Sequence, residues 1–219
     1  MSVYATRRRN MVESQLRVTK VTDDRVIMAF ENVPREEFVS PELKGLAYID
    51  EDLVLGFGRF MLEPMVLARL IQALDIKSDD TILDIAAGCG YSTALLSSLG
   101  QSVVGIEAHA ELAETAQENL IKMSVDNSVI LHGDHQLGFA SEAPYDAIII
   151  EGAVAEVPDH ILDQLSEHGR LVTVIRDNNA APGKATLFQR TKTGFSRQYL
   201  FDAQTPILTE FNKATAFQF

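Results

Sequence analysis

The sequence has few of the residues that form covalent cross-links or metal centres. It contains one cysteine, Cys89, among 219 residues. A single thiol excludes an intramolecular disulfide and a CxxC zinc cluster, and it is typical of a protein in a reducing compartment. The 5 histidines show no HxH or HExxH spacing, so we expect no metal site.

Basic residues are also scarce, with 19 Lys and Arg against 31 Asp and Glu and a formal net charge of -12. Such a charge repels a phosphate backbone, so we expect no nucleic-acid partner.

Long apolar runs are missing as well. The purest runs, such as residues 147–150, are far shorter than the roughly 20 residues of a membrane span. The N-terminal segment carries several Arg and Lys residues without an apolar stretch, so no secretory signal is expected. We therefore expect a cytoplasmic protein without a membrane span.

What the sequence does contain is an ordinary globular balance of 46% hydrophobic and 23% charged residues. The length favours one domain over residues 1–219. We expect a helical and loop extension at 1–64 and an α/β cofactor-binding core at 65–219.

Short apolar runs alternate with amphipathic stretches along most of the chain. The runs predict strands at 81–85, 103–106, 128–131, 147–150, 170–175, 186–189 and 197–201. The stretches predict helices at 65–74, 92–99, 110–123 and 160–166. This alternation favours a doubly wound, mostly parallel sheet with helices on both faces.

Residues before this region have a different pattern. Apolar positions at helical spacing over 8–31 predict two helices, with Thr22-Asp23-Asp24 as an N-cap between them. Residues 46–63 are predicted to be irregular, with turn points at Gly56 and Gly58.

The most informative stretch is DTILDIAAGCGYSTALL at residues 80–96. It predicts a strand, a loop of small residues and the start of a helix. Gly88 and Gly90 allow a ligand to approach the main chain closely, and the helix start offers free amide groups. By itself this pattern is shared by many α/β proteins.

Three acidic residues make the pattern more specific, because each follows or ends a successive predicted strand. Asp84 lies at the first strand end, Glu107 about 20 residues beyond it, and Asp134 after the third strand. A carboxylate at the Glu107 position accepts hydrogen bonds from ribose hydroxyls in nucleotide-binding folds. Asp134 is placed to face an adenine amino group.

The charge of these residues bears on the choice of ligand. A dinucleotide carries an anionic pyrophosphate, which the acids disfavour, although Gly88-x-Gly90-x-x-Thr93 resembles part of a dinucleotide fingerprint. S-adenosylmethionine carries a sulfonium and an ammonium group, which carboxylates attract. We therefore expect S-adenosylmethionine as the cofactor.

Several longer motifs extend the pattern over nearly the whole chain. They are MVESQLR (11–17), NVPREEFV (32–39), LAYIDEDLVLGFG (46–58), LDIAAGCGYSTALL (83–96), GDHQLGFASEAPYDAIII (133–150), VPDHILDQLSEHGRLV (157–172) and YLFDAQTPIL (199–208). In these motifs the sequence resembles the protein-L-isoaspartate O-methyltransferases. The resemblance implies a class I, Rossmann-like, S-adenosylmethionine-dependent methyltransferase fold and repair of isoaspartyl residues in damaged proteins.

The resemblance and the strand-end acids together give an expected set of cofactor-binding residues. The set is Asp84, Ala86, Gly88, Gly90, Tyr91, Glu107, Ala108, Asp134, His135 and Glu151. Two members depart from the family pattern: Ala86 replaces the usual first glycine of the loop, and Glu151 stands where small or hydroxyl residues are common.

The loop that carries the family's active-site serine departs further. It reads close to G-Q-T-I-S-Q-P in the family and runs from Gly58 to Pro64 here. Leu62 therefore stands at the serine position, and Arg59 replaces a glutamine. Arg59 is a candidate clamp for the acceptor carboxylate, or a surface arginine that pairs with Glu63 or another acid.

These departures leave several hypotheses open. The first is isoaspartyl methylation at a reduced rate. The others are a cofactor-binding sensor or partner protein that has lost the acceptor site, a methyltransferase with a different acceptor, and a nicotinamide-dependent oxidoreductase. Cys89 is expected to fill space in the loop, since no paired histidine activates it.

Overall fold

The computed structural model describes residues 2–178 and 180–211. Its helices are α1 (Val3–Met11), α2 (Asp24–Asn32), α3 (Pro64–Ala73), α4 (Tyr91–Ser97), α5 (Ala110–Lys122) and α6 (Asp159–Leu162). Its strands are β1 (Leu53–Gly56), β2 (Arg59–Met61), β3 (Thr81–Ile85), β4 (Ser102–Glu107), β5 (Ser128–His132), β6 (Tyr145–Val154), β7 (Leu165–Ile175), β8 (Gly183–Thr191) and β9 (Gly194–Ala203).

The central sheet has seven strands in the order β5-β4-β3-β6-β7-β8-β9. Strands β3 to β7 pair in parallel, whereas β8 and β9 form an antiparallel hairpin at one edge. The fully buried strands read as near-continuous apolar runs, as expected where helices cover both faces of a parallel sheet. The predicted doubly wound, mostly parallel sheet is confirmed.

The strand order reverses between β3 and β6, which lie side by side although β4 and β5 intervene in the sequence. The carboxyl ends of the strands at such a switch point form a crevice where ligands bind. In this register Asp84 pairs with Ile149 and Ile85 with Ile150. Because side chains alternate along a strand, this pairing points Asp84 to the same face as positions 149 and 151.

The N-terminal helices pack onto one face of the sheet, the face on which α3 also lies. Met11, Val26 and Phe30 are buried in the same apolar cluster as Leu67 of α3. Asp23 caps α2 by accepting a hydrogen bond from the Arg25 amide at 2.8 Å, so the predicted cap is confirmed.

Two sequence-based assignments were wrong. Residues 46–63 are not wholly irregular, because β1 and β2 form an antiparallel hairpin there. The predicted helix at 160–166 is only the single turn α6, and β7 begins already at Leu165. That strand start was hidden by its polar residues 166–168, of which 167 and 168 are exposed at the edge of the apolar core.

Within the described ranges no helix is long and apolar enough to cross a membrane.

The turn after β3 begins at Ala86, whose backbone is left-handed with a φ of 63°. This conformation costs an L-residue with a side chain roughly 1–2 kcal/mol and is nearly free for glycine. The turn geometry therefore explains why a glycine suits this position, and Ala86 occupies it under strain.

We expect Ala86→Gly to leave the free energy of unfolding nearly unchanged, because relief of this strain offsets the lost methyl group. The neighbouring Ala87→Gly is a matched control, since Ala87 is equally buried without a positive φ. It should lose about 1–2 kcal/mol through backbone entropy and packing. Urea unfolding of both variants measures the difference, and equal losses would contradict the strain at Ala86.

Candidate active site

The candidate site lies at the carboxyl ends of β3, β4 and β6. The β1–β2 hairpin covers it from one side, and the segment after β9 covers it from another. Ala153 at the end of β6 pairs with this segment, since its amide donates to Pro206 O and its carbonyl accepts from the Leu208 amide, both at 2.8 Å. Gly152 permits the contact, because a Cβ there would lie 2.4 Å from Leu208 Cγ.

Glu107 is the last residue of β4 and is completely buried. Its carboxylate accepts hydrogen bonds from the Gly88 amide and from the His109 amide, each at 3.0 Å. These two amides therefore hold the carboxylate in place at the strand end; its role as a ribose-binding acid stays a prediction.

Asp84 is also completely buried, one strand away. Its Oδ2 accepts from the hydroxyls of Ser92 and Thr93 at 2.7 and 2.6 Å, which ties β3 to the first turn of α4. Its Oδ1 has no hydrogen-bond partner among the described residues. Burial, with the nearby charge of Glu107, raises the pKa of Asp84 to about 6, although the two hydroxyls act in the opposite direction.

Arg59 lies against Glu107 at the carboxyl end of β4 rather than on the surface. Its side chain is 1% exposed, and its Nε donates to Glu107 Oε1 at 3.2 Å. Its two Nη atoms donate to the Glu210 carboxylate at 3.3 and 3.0 Å, and Nη2 lies 3.2 Å from His135 Nδ1. The guanidinium is thus fully engaged by the chain's own acids and is not available as a clamp for an acceptor carboxylate in this arrangement.

The segment after β9 supplies the outer wall of this end. The Phe211 ring stacks on His135 with centroids 5.4 Å apart. Burial, followed by the Arg59 charge, lowers the pKa of His135. Burial acts to raise the pKa of Glu210, but hydrogen bonds from Arg59 and the backbone, together with the Arg59 charge, outweigh it and lower that pKa. His135 is therefore neutral and Glu210 ionised near pH 7.

The remaining residues that we expect to contact the nucleoside, Asp134 and Ala108, are less buried. Asp134 is exposed and caps the short helix His135–Leu137 by accepting from the Gln136 amide at 3.0 Å. Ala108 is half-buried beside Glu107, and its carbonyl oxygen lies 3.2 Å from His132 Nε2.

The other end of the site contains buried polar atoms that make no hydrogen bond. Glu151 Oε1, Arg35 Nη1 and the Tyr91 hydroxyl lack a partner within the part of the chain that the structure describes. Glu151 and Tyr91 line a cavity of about 10 Å³ beneath Phe60 and Met61 of β2, which has room for one water at most. Buried polar groups are normally paired, so these atoms indicate a ligand-binding region.

The loop at the family's serine position is packed, not polar. Leu62 is 1% exposed and belongs to the main apolar cluster, while its carbonyl oxygen accepts from Arg35 Nη2 at 2.6 Å. The adjacent Glu63 is half-buried, and burial together with Asp52 and other acids raises its pKa to about 7. The Glu63 carboxyl group is therefore partly neutralised at neutral pH.

Cys89 lies in the glycine loop and is buried. Burial raises the pKa of its thiol to about 12, so the thiol is not a nucleophile near pH 7. Across residues 2–178 and 180–211, no three His, Cys, Asp or Glu side chains are grouped so as to hold a metal ion.

Sequence reasoning missed Arg35 and Glu210. Arg35 is completely buried. The sequence feature that could have indicated it is the presence of a charged residue inside the motif at 32–39. Glu210 offered no signal, because it meets Arg59 from 151 residues away.

A doubly wound sheet with a glycine loop after its first parallel strand, and with buried carboxylates at neighbouring strand ends, fits a class I S-adenosylmethionine-dependent methyltransferase. Comparison with known proteins agrees at the level of sequence. The profile of the protein-L-isoaspartate(D-aspartate) O-methyltransferase family matches residues 6–199. The chain belongs to this family.

Individual relatives carry the same name. The protein-L-isoaspartate O-methyltransferase of Methanoculleus marisnigri is 39% identical, with 77% of this chain and 76% of that protein covered. The Methylorubrum extorquens protein is 37% identical, with 88% and 82% covered.

Solved structures agree on the fold. A protein-L-isoaspartate O-methyltransferase superposes with a TM-score of 0.79 and 25% identity, over 91% of this chain and 65% of that longer chain. A Plasmodium falciparum protein described as a putative member of the same family, in complex with S-adenosyl-L-homocysteine, superposes with a TM-score of 0.77 and 21% identity over 95% and 99%.

The contact between Arg59 and Glu107 generates a prediction about ligand affinity. Arg59 occupies the Glu107 carboxylate, which we expect to accept hydrogen bonds from ribose hydroxyls. Arg59→Gln should therefore tighten binding of S-adenosylhomocysteine, by up to about 10-fold. Calorimetric titration measures the change. Weaker binding by this variant would mean that the guanidinium contacts the nucleoside itself.

Glu107→Gln should act in the opposite direction and weaken the same binding by roughly 10- to 100-fold, because charge-assisted hydrogen bonds are lost. Glu114→Gln makes the same charge change on the exposed face of α5 and should leave the affinity unchanged. An unaltered affinity in Glu107→Gln would place the nucleoside elsewhere.

Proposed function

We propose that this protein transfers a methyl group from S-adenosylmethionine to the free carboxylate of isoaspartyl residues in damaged proteins. The observation that carries the proposal is the buried, unpartnered carboxylate oxygen Asp84 Oδ1 at the switch point of the sheet, one strand away from the buried Glu107. Isolated buried carboxylates require a cation or a donor.

The residues on both ends of the site fit this cofactor. Asp84 faces the cationic end, Glu107 the ribose and His135 the adenine. Arg35 Nη1 and the Tyr91 hydroxyl, both unpartnered in the described structure, fit the carboxylate of its amino-acid end. The glycine loop residues Ala86, Gly88 and Gly90 line the passage between the ends, and Ala108 and Asp134 form its rim.

The chemistry asks little of the protein beyond alignment. When bound, the cofactor supplies a methyl group on a positively charged sulfur. The acceptor carboxyl has an ordinary pKa of about 4 and is already ionised at neutral pH, so no general base is needed. The protein must hold one carboxylate oxygen in line with the methyl group, which is where positioning contributes to rate.

Leu62 cannot donate a hydrogen bond in the way that a serine hydroxyl does. Loss of one well-placed donor typically lowers a rate by about 10²- to 10³-fold. We therefore propose that isoaspartyl methylation by this chain is slower than in family members that have the serine.

The compartment proposed for the protein is the cytoplasm. Its single buried thiol, Cys89, suits a reducing environment.

A methyl-transfer assay with an isoaspartyl peptide and its aspartyl counterpart tests the activity. Wild type should methylate the isoaspartyl peptide slowly and the aspartyl peptide not at all. Turnover equal to that of a family member with the serine would contradict the reduced rate, and absence of transfer would contradict the acceptor.

Leu62→Ser should raise kcat/KM for the isoaspartyl peptide by about 10- to 100-fold, because it restores a donor. Leu62→Ala is the matched control, since both variants lose the leucine packing at a cost of about 2–5 kcal/mol in stability. Urea unfolding verifies that both remain folded. Equal rates in the two variants would show that a hydroxyl at position 62 has no role.

A further inference from the structure

Glu151 occupies an irregular part of β6 beside the switch point. Ile149 pairs with Val172 and Ala153 with Val174, so three residues of β6, 150–152, lie opposite Thr173 alone. The Thr173 hydroxyl donates to Gly152 O at 3.0 Å and holds this bulge. Bulges re-aim side chains and are frequent next to active sites, so the position of Glu151 is set by the backbone.

The carboxyl group of Glu151 has no structural use that the described residues reveal. The residue is 7% exposed, yet its Oε1 makes no hydrogen bond with any described group. A carboxyl group buried without a partner destabilises a fold, commonly by 1–3 kcal/mol or more. A glycine or serine would avoid that cost at this bulge.

The direction in which Glu151 faces is given by the cavity it lines. Phe60 and Met61, directly before position 62, line the same cavity, as do Cys89, Tyr91 and Ser92. Glu151 is thus the acidic side chain in a cavity that borders the loop in which the family has its serine.

We propose that the carboxyl group of Glu151 donates a hydrogen bond to the acceptor carboxylate and so performs the positioning that no hydroxyl at position 62 provides. This inference rests on the proposed function of the site. It moves Glu151 from the cofactor-binding set, where the sequence placed it, to the acceptor.

The surroundings of Glu151 favour the protonated form that such a donor needs. Burial and the nearby Asp84 raise its pKa well above the usual range, Asp52 adds to the shift, and Arg35 opposes it. Cys89 also faces it but carries no charge near pH 7, since burial raises the pKa of the thiol to about 12. An acceptor carboxylate beside Glu151 reinforces protonation, because two facing carboxylates share one proton.

No proton moves during the methylation itself. One oxygen of the acceptor accepts the hydrogen bond from Glu151, and the other remains free to attack. Glu151 therefore acts on acceptor binding and alignment, and it ionises as the pH rises, which turns attraction into repulsion.

The test measures peptide binding separately from turnover. An isoaspartyl peptide is titrated by calorimetry into the protein saturated with S-adenosylhomocysteine, between pH 6 and pH 9. Above the pKa of Glu151, wild-type affinity should fall about 10-fold per pH unit. Titrations in two buffers of different ionisation enthalpy should show uptake of about one proton on binding in that range.

Glu151→Gln keeps a donor but cannot ionise, so its peptide affinity should not depend on pH and no proton should be taken up. Glu151→Ala should bind the peptide roughly 10- to 100-fold more weakly than wild type at pH 6. Glu114→Gln, which removes an exposed carboxylate on α5, should keep the wild-type pH profile. Affinity for S-adenosylhomocysteine should stay within about threefold in all variants.

Each remaining outcome overturns the inference. If Glu151→Gln retains the wild-type pH profile, or Glu151→Ala binds the peptide normally, Glu151 does not contact the acceptor. If the variants weaken S-adenosylhomocysteine binding instead, Glu151 belongs to the cofactor. A wild type that methylates isoaspartyl peptides while either result holds leaves the proposed function intact; a wild type that neither binds nor methylates them overturns both.

Discussion

The structure depends on the burial of three acidic side chains near the switch point of a parallel sheet. Asp84, Glu107 and Glu151 lie at the ends of β3, β4 and β6, and each is 7% exposed or less. Burying a carboxylate is unfavourable unless donors or cations compensate. The chain provides amides and Arg59 for Glu107 and two hydroxyls for Asp84, but nothing among its described residues for one oxygen on each of Asp84 and Glu151. These two oxygens without hydrogen-bond partners favour a ligand that brings a cation or hydrogen-bond donors.

The replacements in the loop before α3 have opposite physical fates. Leu62 turns into the apolar core, where it packs in the main apolar cluster. Arg59 turns to the carboxyl end of β4, where Glu107 and Glu210 bind it. One replacement therefore adds apolar packing and the other adds buried ion pairs, while the fold around the loop is that of the family.

Much of this could be predicted from the sequence, because strong local signals specify it. The apolar runs at 81–85 and 103–106 gave strands within a residue of their observed bounds, and the acid at the end of the second gave Glu107. The β1–β2 hairpin could not be predicted, since its short strands are separated by Gly56-Phe57-Gly58, all with positive φ. The partnership of Arg59 with Glu210 depends on chain folding over most of the sequence, which no local pattern records.

The packing of Leu208 against Gly152 links the C-terminal segment to the chemistry in a way that matters for handling the protein. Residues 206–208 add a short stretch of pairing to β6. Glu210 and Phe211 follow directly and contact Arg59 and His135. Shortening the chain before Pro206, or fusing a bulky tag close behind Phe211, would thus perturb ligand affinity as well as stability. Affinities measured on such trimmed or tagged proteins would therefore refer to a site in which the contacts of Glu210 and Phe211 are altered.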